Sequence, residues 1–220
     1  MEKKECVILL HGLARTTGSM RRMEKALQKS GYLTCNMGYP SRKYPVGYLA
    51  EKYIPLAMEA CLRKTDEKKL QKIHFVTHSM GGILVRYYLA RHVVANLGRV
   101  VMLAPPNHGS EIVDKLGDKW WFRRFNGPGG CSLGTESGSA PNSLGPANFP
   151  VGIITGNRSF DPLFSRMVAR PNDGKVSVAS AHLNGMRDFL VVPLGHTFIM
   201  TNKEVIRQAI FFLAQGKFEV

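Results

Sequence analysis

Three residue types able to do acyl-transfer chemistry occur in this chain in the order serine, acid, histidine. Thr77-His78-Ser79-Met80-Gly81 follows the apolar β-type run Ile73 to Val76 and opens an apolar helical pattern. A serine on such a strand-to-helix turn is exposed at its tip and held close to backbone N–H donors, which suits a nucleophile. Serine is also a good helix N-cap, the structural alternative for Ser79. The usual pattern of this turn is G-x-S-x-G, and Thr77 stands at the first glycine. That substitution predicts a locally adjusted strand end. Downstream, Arg170 to Val176 is a glycine turn carrying Asp173, and Phe189 to His196 is a strand ending in a histidine. Upstream, Val7 to Leu13 reads as a buried strand followed by a glycine turn whose backbone can approach a ligand.

Positioning these residues requires strands that end at one edge of a sheet. Apolar runs recur at Cys6 to Leu10, Leu33 to Met37, Ile73 to Val76, Val100 to Leu103, Val151 to Ile154 and Phe189 to Val192. Helical patterns lie between the early runs. Met20, Met23 and Leu27 share one helix face, with Gly31 placed for a C-terminal cap. Leu49 to Cys61 marks a second helix in which Pro55 should kink the helix or shift its start. Met80 to Val94 is a third, with Gly81 and Gly82 allowing its first turn to lie close to the sheet. This alternation predicts an α/β fold with a mostly parallel six-stranded sheet and helices on both faces. Ligands in such sheets bind beyond the carboxyl ends of the strands, where all four segments above lie.

Residues 107–149 break the pattern. Asn107 to Val113 can begin a helix, Trp120-Trp121-Phe122 is an aromatic cluster, and Asn126 to Pro150 is rich in Gly, Ser and Pro. The stretch is too long for an ordinary connection and reads as a lid or pocket-wall excursion. With Leu116 and Phe125, the aromatics either form a lid that grips acyl chains or pack a helix onto the core. No repeat or second domain is visible, so residues 1–220 are expected to form one domain.

Composition narrows the function classes. The chain has 220 residues, of which 44% are hydrophobic, enough for one domain with a real core. No apolar run approaches the roughly 18 residues needed to span a bilayer. The start, Met1-Glu2-Lys3-Lys4-Glu5, lacks signal-peptide features, and a cytoplasmic location is expected. Cys6, Cys35, Cys61 and Cys131 are scattered, three of them inside apolar patterns, so buried free thiols are expected rather than disulfides or a metal site. No C-x-x-C or H-E-x-x-H spacing occurs, and no metal or cofactor is expected. The net charge of +14 is the unusual global number. It favours anionic membranes, acidic substrates or nucleic acid. Yet Lys and Arg are dispersed, with small clusters only at Lys68 to Lys72 and at Arg123-Arg124, so a solvated basic surface is expected and no nucleic-acid partner.

With these residues in view, the chain resembles the α/β-hydrolase superfamily, and within it small bacterial lipases and esterases. His11-Gly12-Leu13, the x-H-S-M-G turn, Ala104 to Ser110, Asn172 to Val176 and Gly195-His196 are similar to motifs of those lipases in the same order. The resemblance implies a compact α/β-hydrolase fold and a cofactor-independent serine hydrolase cleaving small-molecule or lipid carboxylic esters. It also implies that Ser79 attacks the carbonyl, His196 relays the proton, and Asp173 orients His196. By the same matching, the backbone N–H groups of Leu13 and Met80 form an oxyanion hole. Asp161, directly after the fifth strand, is the alternative acid, and Asp173 could instead form only an Asx-turn. His108 is the rival of His196 and is expected to line the pocket. His11 and His78 are expected to orient loops around the site; His74, His92 and His182 read as structural, and Asp188 as the start of the last strand. Thioester hydrolysis or acyl transfer with the same three residues, and a non-catalytic protein that uses its basic surface for anionic membranes or nucleic acid, are the alternatives. Oligomeric state is not encoded legibly. Little room for a large cap predicts better activity on short or medium acyl chains.

Overall fold

The computed structural model of the chain describes residues 4–64, 70–159 and 161–219. The charged start at 1–3, the Lys68-Lys69 half of one basic cluster and Phe160 lie outside these residues. Strands β1 (Lys4–Leu10), β2 (Leu33–Met37), β3 (Leu70–His78), β4 (Leu97–Leu103), β5 (Val151–Gly156) and β6 (Asp188–Val192) form one sheet in the order β2-β1-β3-β4-β5-β6. Every pairing is parallel.

The apolar runs are continuous because both sheet faces are covered. On β1, Cys6, Ile8 and Leu10 face a core that includes Leu49 and Ile54 of α2 (Val46–Leu62) and Ile83 and Leu84 of α3 (Met80–Leu89). The alternate residues Val7 and Leu9 face Met23 and Leu27 of α1 (Arg21–Lys29) and Ala209 and Phe212 of α8 (Lys203–Gln215). This two-residue alternation is the strand period expressed in packing. Gly31, at φ +90, terminates α1 in the left-handed conformation that suits glycine.

Helix α2 runs through Pro55, so the proline does not mark its start. Helix α3 stops at Leu89, short of Val94, and His92 beyond it pairs with Glu51 at 2.8 Å. The expectation of four free thiols is overturned: Cys6 of β1 and Cys61 of α2 form a disulfide, while Cys35 and Cys131 are free. The packing of α2 on β1 brings their Cα atoms to 6.1 Å, within bonding reach, across 55 residues of sequence.

After β4 the chain forms α4 (Glu111–Leu116) and α5 (Trp120–Cys131), the latter broken at Gly127, where φ is +64. Two four-residue helices, α6 (Pro162–Ser165) and α7 (Val178–Ala181), lie between β5 and β6. Among the described residues, no helix is long and apolar enough to cross a membrane. Strand order reverses between β1 and β3, because the chain leaves β1 toward β2 on one side and returns to β3 on the other. That switch point is where a ligand crevice opens in sheets of this kind.

Candidate active site

Ser79 sits directly after β3, with φ 52 and ψ −122, a conformation that non-glycine residues rarely adopt. Its N–H donates to the Leu103 carbonyl of β4 at 2.8 Å, so the sheet's hydrogen bonding holds the strained turn in place. Met80 begins α3 immediately afterwards. The strand end is not adjusted at Thr77: pairing with β4 continues in register through Thr77 and His78, and the irregularity falls between Ile73 and Phe75. Gly82 supplies the space the threonine needs, since a Cβ there would lie 3.3 Å from Thr77 Oγ1. Close approach also explains Gly81, where a Cβ would come within 2.8 Å of the Leu10 carbonyl oxygen.

His196 opens a 3₁₀ turn, His196–Thr201, after β6, and its Nε2 lies 3.0 Å from Ser79 Oγ. Its Nδ1 lies 2.7 Å from Asp173 Oδ2. An ionised carboxylate only accepts, so Nδ1 carries the hydrogen and Nε2 presents its lone pair to the serine hydroxyl. Asp173 and His196 are almost fully buried, and the His196 N–H also donates to the Asp173 carbonyl at 3.0 Å. The other Asp173 oxygen, Oδ1, accepts from the Lys175 and Val176 N–H groups at 2.9 and 2.8 Å. Asx-turn and histidine partner are therefore one arrangement, with one carboxylate oxygen for each. Asp161 is engaged elsewhere, where its Oδ1 accepts from the Leu163 and Phe164 N–H groups and caps α6.

A second group of residues fixes the loops. His78 Nε2 donates to the His196 carbonyl at 3.1 Å, and its Nδ1 is buried without a partner. Burial, ahead of the neighbouring His196, holds the His78 imidazole well below its usual pKa and keeps it neutral. A Cβ on Gly12 would lie 2.8 Å from His78 Nδ1, so only glycine lets the β1 loop pass. His11 stacks on Tyr39 at 4.2 Å between ring centroids, and the Tyr39 hydroxyl donates to the His11 carbonyl. Ser41 Oγ accepts from the Ala14 N–H at 3.0 Å. Leu13 of this loop shares a cavity with Ser79. Met80, as the first residue of α3, has no intrahelical acceptor for its N–H.

No sequence motif singles out Tyr39 and Ser41. The available signal is position: Tyr39-Pro40-Ser41 follows β2 at the same sheet edge as the other segments. Arg86, buried within α3, is likewise absent from the sequence-based expectations. Its Nη1 donates to the Asn107 carbonyl at 2.9 Å and its Nη2 to the Gly145 carbonyl at 2.8 Å, tying both ends of the 107–149 excursion to the helix behind Ser79.

The cavity over Ser79 measures about 550 Å³. Its apolar wall includes Leu13, Ile112, Phe122, Phe125, Leu133 and Phe164, so the 107–149 excursion supplies much of it. The aromatic cluster divides: Phe122 is buried, while Trp121 and Phe125 line the cavity and remain exposed to solvent. His108 does not line it. It is exposed, with Nδ1 3.1 Å from Asn142 Oδ1, because the turn after β4 directs Pro106 and Ser110 inward instead. His74 contacts Glu5 at 3.3 Å, His182 packs on Phe189, and Asp188 starts β6.

A family model described as alpha/beta hydrolase fold matches residues 47–128. No curated protein matches the sequence. Among solved structures, the chain is similar to the mature form of the lipase BlEst2 of Bacillus licheniformis, with a TM-score of 0.73 and 20% identity, covering 96% of this chain and 92% of that one. It is also similar to the esterase Pf2001 of Pyrococcus furiosus, with a TM-score of 0.64 and 20% identity, covering 97% and 83%. The phospholipase PlaB of Legionella pneumophila gives a TM-score of 0.67 at 19% identity, and this chain spans 57% of its length.

Proposed function

From an α/β-hydrolase fold as premise, we propose that this chain is a serine hydrolase that cleaves carboxylic esters. The observation that carries the proposal is the hydrogen-bonded line from Ser79 Oγ through His196 to the buried Asp173 carboxylate, set at a strained turn beneath an apolar cavity. An unassisted serine hydroxyl is a poor nucleophile at neutral pH, and a histidine lone pair at 3.0 Å is placed to take its proton as attack proceeds. The resulting imidazolium is stabilised by Asp173. As the tetrahedral intermediate collapses, His196 gives that proton to the leaving alcohol, and an acyl group remains on Ser79. Water then attacks with His196 again as base. The backbone N–H groups of Leu13 and Met80 stabilise the oxyanion, each worth on the order of 100-fold in rate.

The apolar cavity fits an acyl chain, and a protein with little room for a large cap favours short or medium acyl groups. The test is a series of p-nitrophenyl esters of increasing acyl length, with acyl-CoA and an acceptor alcohol as parallel arms. Ester hydrolysis peaking below long acyl chains and lost in Ser79→Ala is expected. Turnover confined to thioesters or to acyl transfer would replace the ester assignment.

A further inference from the structure

The charged groups beside Ser79 extend this hydrolase reading to its substrate, and the inference rests on it. Three cavities adjoin around the site. Lys175 and His196 line both the first, which contains Ser79, and the second. Arg15 lines both the first and the third, and Arg22 the second and the third. An acyl chain occupying the apolar wall of the first cavity leaves the alcohol portion of the ester beside His196, which must protonate it. Arg15 and Lys175 share the first cavity with His196, Arg22 and Lys203 join Lys175 along the second, and Arg15 and Arg22 share the third.

The acidic groups there are already engaged. Asp173 is bonded to His196, and Asp161 caps α6. Among the described residues, no carboxylate lies within ion-pair distance of Arg15 or Lys175. The Arg15 guanidinium lies over the Phe198 ring, 6.0 Å from its centre, and Phe198 lines the second and third cavities. Partial burial first, and then the charge of Arg15, pull the Lys175 ammonium below its usual pKa, against the opposite pull of Asp173 and Asp161. Two cations held near one another carry a repulsion that a bound anion removes.

We propose that Arg15 and Lys175 form a receptor for an anionic group on the alcohol portion of the ester, so that the preferred substrates are carboxylic esters whose alcohol bears a carboxylate or phosphate. Arg15 offers the planar fork suited to such an oxyanion, and Lys175 a point charge on the wall of the cavity that Ser79 and His196 also line.

The experiment compares kcat/KM within two matched pairs. One is the octanoyl ester of a nitrophenol carrying a ring carboxylate, against the same ester with that carboxylate as a carboxamide. The other is monooctanoyl glycerol phosphate against monooctanoyl glycerol. In at least one pair the anionic ester is expected to be favoured roughly tenfold at low salt, the scale of one charge-assisted contact. Added sodium chloride should erode that ratio in the unaltered protein, a readout independent of any variant. Arg15→Gln and Lys175→Gln should each lower it, whereas Lys29→Gln, at the far end of α1, should not. A preference in the first pair alone identifies a carboxylate, and in the second alone a phosphate. Hydrolysis of the neutral esters with no anionic preference, or a preference untouched by both receptor variants in folded protein, overturns the proposal and leaves the hydrolase standing. Failure to hydrolyse any ester, with no covalent labelling of Ser79, removes the hydrolase reading itself and this one with it.

Discussion

The His78 imidazole donates from Nε2 to the backbone carbonyl of His196, 118 residues away, at 3.1 Å. One residue before the candidate nucleophile thus anchors the main chain of the candidate base. His78→Ala would leave a buried carbonyl unpaired and free the His196 turn to shift. Because misplacement by a fraction of an ångström is costly in a near-attack geometry, kcat should fall roughly tenfold or more with KM little changed. His78→Gln, which retains a donor, should recover part of the loss. Equal changes in kcat and KM in both variants would count against a positioning role.

The same histidine makes stability depend on pH. Buried and neutral in the fold, it has a pKa well below 6.5, whereas the unfolded chain protonates near that value. His11 is shifted in the same direction, mainly by burial. The unfolded state therefore binds more protons below pH 6.5. Stability from these groups is full above the unfolded pKa and is lost as pH falls toward the folded one, at up to about 1.4 kcal/mol per pH unit for each. Urea unfolding at about pH 7.5 and about pH 5.5 should show this slope, and His78→Gln should flatten it.

Joining of Cys6 to Cys61 predicts a thiol count. Denatured without reductant, the chain should expose two free thiols, Cys35 and Cys131, against four after reduction. Reduction should also lower stability by roughly 2–4 kcal/mol, the usual range for a loop of this kind. Four thiols in unreduced protein would contradict the bond.

Sheet and helices were legible because burial on both faces writes a strand as an unbroken apolar run, as in Val7 to Leu10. Ser79 and His196 were legible because strand ends and the residues after them share one edge. Contacts formed only by packing were not. Cys6 and Cys61 lie in separate apolar patterns, and nothing in their spacing shows that α2 lies on β1. Thr77 suggested a distorted strand end because the room for its side chain comes from Gly82, on the next helix. Asp173 posed a choice between turn and partner that its two oxygens remove. Arg86 sits in an apolar helix, and its acceptors, the Asn107 and Gly145 carbonyls and the Asn107 side-chain oxygen, lie in a loop that sequence alone cannot place.

The nucleophilic role of Ser79 is tested most directly by a fluorophosphonate probe followed by peptide mass spectrometry. A single adduct is predicted, on the peptide containing Ser79, formed in the folded protein and absent from Ser79→Ala. No adduct on folded protein, or an adduct that persists in Ser79→Ala, would contradict the account.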